Sequence, residues 1–169
     1  MSAHRPRLAV VLAALCALAL VAGLGVTFYL RGQEQDQQRE AQDRAAVVSA
    51  AQVFTETWNT FTPDAAQEYV DTVSPLLTTR FRTEFTDAAE DVVTGITQQQ
   101  LSSTGSVLSD EAGIPLVAIA SMDGDSAEVL VVSDAERVSA QQEVLRHWRW
   151  QVSLVKVDGR WLVDDFVEV

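Results

Sequence analysis

Hydrophobic positions along the chain change period three times, and each change predicts a different kind of element. From Leu8 to Leu30 there are 23 residues without a charge, interrupted only by Gly23, Gly25 and Thr27. At ~1.5 Å per residue, a helix of that length reaches about 35 Å, enough to cross a hydrocarbon layer of about 30 Å with some tilt. Tyr29 falls at the far interface, where an amphipathic ring is favoured. A cleavable signal peptide carries a shorter apolar region of ~7–15 residues and a small-residue cleavage site. Thr27-Phe28-Tyr29-Leu30-Arg31 is a poor cleavage site, so an uncleaved membrane anchor is the expectation for residues 8–30. The next segment, 31–44 (RGQEQDQQREAQDR), has Ala41 as its one apolar residue and many good helix formers. It reads as a polar helical stalk, without the apolar seam of a coiled coil.

From residue 45 the period becomes helical. Val47, Ala51, Phe54, Trp58 and Phe61 share one stripe, and Pro63 ends that helix. Ala66, Tyr69, Val70 and Val73 form the face of a second helix starting near Pro63 or Asp64. Ser74-Pro75 resembles an N-cap followed by a first-turn proline. A third helix is expected from about Pro75 or Thr79 to Thr97, with Phe81, Phe85, Ala88, Val92 and Ile96 aligned and Gly95 weakening its last turn. These aromatic stripes read as the faces that pack on a sheet.

After Leu101 the period shortens to that of strands. Segments 106–109 and 115–121 read as strands, either separate or one bulged strand. Asp123-Gly124-Asp125 is a turn, and the nearly unbroken apolar run 127–132 (AEVLVV) is expected at the centre of its sheet. Residues 134–142 read as a polar loop. A long strand over 143–157 then meets Asp158-Gly159, a type I′ hairpin signal, and a last strand over 160–169. A two-residue turn pairs Val157 with Arg160. That register sets Lys156 opposite Trp161, Leu154 opposite Val163, Val152 opposite Asp165 and Trp150 opposite Val167. The face carrying Trp148, Trp150 and Trp161 is the one helices should cover, and it takes Asp165 with it. The other face carries Arg149 opposite Glu168, a candidate cross-strand ion pair. Helices followed by an antiparallel sheet define an α+β domain over 45–169.

Charge and cysteine usage narrow the partners. The chain has 12 basic and 24 acidic residues. Arg5 and Arg7 precede the anchor, so 10 basic and 24 acidic residues remain from Arg31 onward, a net of −14. That balance argues against nucleic acid or anionic headgroups as direct partners of the domain. The short basic tail of residues 1–7 favours a cytoplasmic N-terminus and an extracytoplasmic domain. Cys16 is the single cysteine, inside the apolar run, and Leu15 before it does not fit a lipobox. No disulfide framework follows, and two histidines 143 positions apart, His4 and His147, make no metal cluster.

The order of these features carries a resemblance. A basic N-terminus, one apolar helix, a polar stalk and an Ala-rich helix with Phe54 and Trp58 precede the run 76–85 (LLTTRFRTEF). The chain closes with 125–131 (DSAEVLV) and 155–165 (VKVDGRWLVDD). Together these resemble the Mce-associated membrane proteins of actinobacteria, named for the mammalian-cell-entry (Mce) lipid-import systems. The resemblance implies a fold similar to nuclear-transport-factor-2-like (SnoaL-like) domains and to the periplasmic domain of the bitopic scaffold subunit of type IV secretion systems. That means three helices packed on a curved, cone-shaped antiparallel sheet of about four strands. It implies an accessory or stabilising subunit in the cytoplasmic membrane, partnered by Mce and permease subunits or other envelope proteins. It supplies no catalytic residues, cofactor or metal. One departure is the stretch from Asp110 to Pro115, longer than expected between the first strand segments.

Cone-shaped domains can hold a catalytic pocket, and Tyr69, His147, Asp164 and Asp165 are the candidates for acid–base work here. Asp165 is the sharpest, because the hairpin register turns it toward the helix-covered face, where burial would raise its pKa. His147 and Asp164 fall on the polar face. There is no glycine-rich phosphate loop and no Ser/His/Asp pattern, so the chain is expected to act without catalysis. The alternatives are a structural subunit of a type IV secretion or conjugation machine, and a pocketed enzyme or apolar-ligand-binding domain. A patch of Trp148, Trp150, Trp161 and Asp165 is the expected meeting point for a partner or ligand.

Overall fold

A computed structural model of the chain describes residues 35, 37–140 and 142–169. Residues 44–169 form one compact unit, and before it residues 35 and 37–43 are described and helical. The expected anchor from Leu8 to Leu30 lies outside the described residues. Among the described residues no helix is long and apolar enough to cross a membrane.

The described helices are four. Helix α1 (37–58) buries Val47, Ala51 and Phe54 on one stripe. Its end is closed by side chains, with Thr55 Oγ1 donating to the Ala51 carbonyl (2.8 Å) and Asn59 Nδ2 to the Thr55 carbonyl (2.9 Å). Pro63 opens a short 3₁₀ turn, Pro63–Ala65, which leads into α2 (Ala66–Val73). The buried face of α2 is Ala66, Tyr69, Val70 and Val73, the four positions its periodicity marks.

The single third helix expected up to Thr97 is two helices, α3 (Thr79–Asp87) and α4 (Ala89–Gln98). Ala88 joins them with φ −92° and ψ −1°, off the helical minimum. Just before it, the Thr86 hydroxyl donates back to the carbonyls of Arg82 (2.8 Å) and Thr83 (3.1 Å), the kind of local bond that bends helices. Ser74-Pro75 caps no long helix; it forms a 3₁₀ turn, Ser74–Leu76. The N-cap of α3 is Thr78, whose Oγ1 accepts from the Phe81 N–H at 3.4 Å.

Five strands follow, one more than the sequence led us to expect: β1 (Ser102–Val107), β2 (Val117–Met122), β3 (Ser126–Val138), β4 (Glu143–Val157) and β5 (Arg160–Glu168). All pairings are antiparallel, in the order β1-β3-β4-β5, with β2 also on β3. Val107 lies opposite Ser133 and Val117 opposite Val131, so β1 and β2 run end to end along the same edge of β3. The excursion between them carries the long stretch from Asp110 to Pro115.

The expected loop over 134–142 is mostly strand. β3 continues to Val138 in an unbroken ladder with β4 from Ser126–Val155 to Val138–Glu143. Its inward positions there are Ser133, Ala135 and Arg137, too small or too polar to show as an apolar alternation.

The β4–β5 hairpin begins as its turn dictates. Asp158 and Gly159 have φ of 50° and 78°, as a type I′ turn requires, and Val157 pairs with Arg160. Leu154 pairs with Val163 as expected, but Ser153 pairs with Asp165, leaving Asp164 as the extra residue of a β-bulge. Beyond it the register is shifted by one: Val152 lies opposite Phe166, and Trp150 opposite Glu168. The inferred pairings of Val152 with Asp165, Trp150 with Val167 and Arg149 with Glu168 are therefore corrected. The physical reason is burial. Without the bulge a carboxylate would sit under the helices at a cost of several kcal/mol. With it, an aromatic ring takes the place, worth roughly 1.5–3 kcal/mol if fully buried.

Candidate functional site

The inward face of the sheet and the helices enclose an aromatic cluster rather than a polar pocket. Phe166 lies at its centre, 4.7 Å from the ring of Trp58, 5.2 Å from Phe54 and Trp150, and 5.9 Å from Phe81 (centroid distances). Trp58 also meets Phe85 at 5.4 Å. Trp148 stacks on Trp150 at 5.0 Å, and the guanidinium of Arg137 lies over Trp148 at 5.2 Å from its centroid. Most of these contacts are edge-on or tilted, the arrangement that ring quadrupoles favour.

A cavity of about 320 Å³ remains beside this cluster, walled by Trp58, Tyr69, Phe81, Phe85, Val92 and Arg137. Exposed Ala88 and Glu84 stand on its rim. Arg137 is half-buried and its Nε is enclosed without an acceptor. Burial, with the like charge of Arg146, pulls its guanidinium below the usual arginine value, while Tyr69 acts in the opposite sense. Among the described residues neither Arg137 nor Arg146 forms an ion pair.

The acid–base candidates do not assemble. Tyr69 is buried and donates to the Trp58 carbonyl at 3.1 Å; burial drives its phenol well above the ordinary value, so it stays protonated. Asp165 is not across from it. The bulge turns Asp165 to solvent, where its Oδ1 accepts the N–H of Phe166 at 2.8 Å. His147 is exposed on the outer face and pairs with Asp134, Nδ1 to Oδ1 at 2.7 Å. Asp164 is taken up structurally: Thr78 Oγ1 donates to Oδ1 at 2.7 Å and Arg80 Nη2 to Oδ2 at 2.9 Å. The Arg80 and Thr78 hydrogen bonds hold the Asp164 carboxyl below the usual carboxylate range. No group of three or more His, Cys, Asp or Glu side chains suited to a metal occurs among the described residues.

The expected patch of Trp148, Trp150, Trp161 and Asp165 is not one exposed surface, although Trp148 and Trp150 do stack on each other. Trp150 and Trp161 are buried, Trp150 donating to Ser133 Oγ at 3.2 Å. Trp148 is half-covered by Arg137, and Asp165 faces away. Leu8 and Leu30 lie outside the described residues. What sequence reasoning missed is Arg137, inside the stretch assigned to a loop. Its signal was there: it alternates with Ser133 and Ala135 on the inward side of what is a strand.

Helices packed on a five-stranded antiparallel sheet with this order define an α+β domain of the NTF2-like class, and the solved structures agree. At 14% identity and TM-score 0.60, the chain is similar to the periplasmic domain of DotI, over 74% of this chain and 94% of that one. An IcmL-like type IV secretion system protein from Legionella pneumophila matches at 9% identity and TM-score 0.60, over 75% and 91%. An Ntf2 like protein involved in plasmid conjugation matches at 14% identity and TM-score 0.50, over 75% and 48%. Residues 7–168 match the family described as "Uncharacterized protein Rv1363c/MT1408-like", and the chain belongs to that family. No curated protein sequence matches it.

Proposed function

We propose that the chain is a non-enzymatic structural subunit of a multiprotein assembly in the cell envelope, anchored by residues 8–30 with the domain outside the cytoplasm. A secretion or conjugation machine of the type IV kind is the assembly favoured. The observation that carries this reading is the match of nearly the whole domain to the DotI periplasmic domain and the IcmL-like secretion protein, each covered over more than nine-tenths of its own length. The dispersal of Tyr69, His147, Asp164 and Asp165 supports the absence of catalysis, since no two of them face one reacting centre. An Mce-type lipid importer is the second reading, favoured by the runs 76–85, 125–131 and 155–165 that resemble Mce-associated proteins.

Affinity purification of the tagged full chain from native membranes, with mass spectrometry of what co-elutes, tests both readings. Secretion or conjugation subunits support the first, and Mce with permease subunits the second. Recovery of the chain alone, under detergents that keep such complexes intact, overturns both. Orientation is checked separately by C-terminal fusions: phosphatase activity supports an external domain, and fluorescence without phosphatase activity reverses it.

A further inference from the structure

We propose that the aromatic cavity beside α3 and α4 binds a small apolar carboxylate, its headgroup on Arg137 and its hydrocarbon body among Trp58, Phe81, Phe85 and Val92. The starting point is an electrostatic anomaly. Acidic residues outnumber basic ones two to one, 24 to 12, so a cation that lacks a carboxylate is unexpected. Arg80 binds two, Glu84 at 3.0 Å and Asp164 at 2.9 Å. Among the described residues Arg137 binds none, although its Nε is enclosed. An unpaired buried charged donor forfeits more than a neutral one, and each such group calls for a reason.

The surroundings supply one. The guanidinium lies over Trp148 at 5.2 Å from the ring centroid, a cation–π contact that leaves its Nη nitrogens to meet a carboxylate. Arg146 adds a second positive charge that lowers the Arg137 value, and an anion would relieve both. Elsewhere the walls are mainly aromatic or aliphatic, as ligand cavities with one orienting polar group are. At about 320 Å³ the space is near the small end of the ~300–1,000 Å³ range of ligand sites. A medium-chain acid or compact aryl acid fits that size, and an intact diacyl lipid does not. Glu84, the carboxylate on the lining, is already held by Arg80, and it disfavours a ligand with a second anionic group.

Octanoate is a suitable probe, with octan-1-ol and octylammonium as charge controls. The full chain in lipid nanodiscs is titrated and read by tryptophan fluorescence, with empty nanodiscs as blank. Saturable binding of octanoate, weaker binding of octanol and none of octylammonium are expected. Arg137→Gln should weaken octanoate at least about tenfold while leaving octanol unchanged, with Arg137→Lys in between. Ala88→Trp, at an exposed rim position that tolerates bulk, should block octanoate and octanol alike. No saturable octanoate response in the millimolar range overturns the proposal. So does octanoate binding that Arg137→Gln does not weaken, or that Ala88→Trp does not block in a folded protein. Should Arg137→Gln fail to fold, the charge controls on the native chain and the Ala88→Trp variant decide.

Discussion

At Asp164 the last strand gains one residue on its partner, and three adjacent side chains take three different fates. Asp164 is drawn onto Thr78 and Arg80, Asp165 turns to solvent, and Phe166 enters the aromatic cluster. Phe166→Ala should therefore cost about 3 kcal/mol, the low end for a large-to-small aromatic change. Asp165→Ala should stay within about 0.5 kcal/mol, as exposed substitutions do. Chemical denaturation of the two variants checks this, and the reverse order would restore the unbulged register. The depressed carboxyl of Asp164 gives a pH dependence of defined sign. A lowered folded-state pKa contributes stability above the unfolded value of about 3.9, and that contribution is lost as pH falls through the folded one. Asp164→Asn should thus lower Tm relative to the native chain at pH 7, with the gap closing in thermal melts as pH falls through the lowered folded-state value. A gap independent of pH would show that the ionised carboxylate is not what docks α3 to β5.

At the scale of elements, two glycines separate packing from propensity. A Cβ at Gly105 in β1 would lie 2.4 Å from the Cβ of Asn59, because the strand crosses the end of α1 in contact with it. Gly105→Ala should cost roughly 1–3 kcal/mol by overpacking. Gly95 in α4 has nothing within 4 Å of such an atom, so Gly95→Ala should stabilise by roughly 0.5–1 kcal/mol through helix propensity. Calorimetry of both variants reads opposite shifts of Tm. What the sequence made legible follows the same division. The face of α2 and the Asp158-Gly159 turn are local matters of period and φ, and both stand as the residues indicate. The bulge was not legible as a turn signal, because it is set by what docks on β5: the Thr78 N–H donates to the Val163 carbonyl at 2.8 Å just before it. A register that placed Asp165 inside was itself the warning. The break at Ala88 hides for a similar reason, since each half keeps the same stripe and only the back-bonding of Thr86 separates them. Arg137 carried only a faint signal as a site because its end of β3 has no apolar alternation, and recognising it required knowing that Ser133 and Ala135 face inward.

For the whole molecule the governing quantity is charge. From Arg31 onward 24 acidic residues face 10 basic ones, which leaves 14 negative charges without an internal counterpart. Such an excess keeps the domain soluble but strains the compact state by self-repulsion. Ion pairs oppose it, and the two of Arg80 lie at the surface, with side chains 54% and 57% exposed in Arg80–Glu84 and 54% and 32% in Arg80–Asp164. Exposed pairs contribute about 0–1 kcal/mol each and are screened like any surface charge. Added salt therefore removes more repulsion than attraction, as the screening length falls from ~30 Å at about 0.01 M to ~8 Å at 0.15 M. Tm of the full chain should rise over that interval in sodium chloride. Sulfate is the wrong salt for the measurement, because its exclusion from surfaces strengthens burial by another route. A fall in Tm would mean that attraction outweighs repulsion, and Arg80, which binds both Glu84 and Asp164, is where the missing attraction would be sought. A rise carries a consequence for assembly. A domain relieved by screening is also relieved by a cationic partner, so a protein that binds it should present a basic surface, and such a complex should loosen with salt.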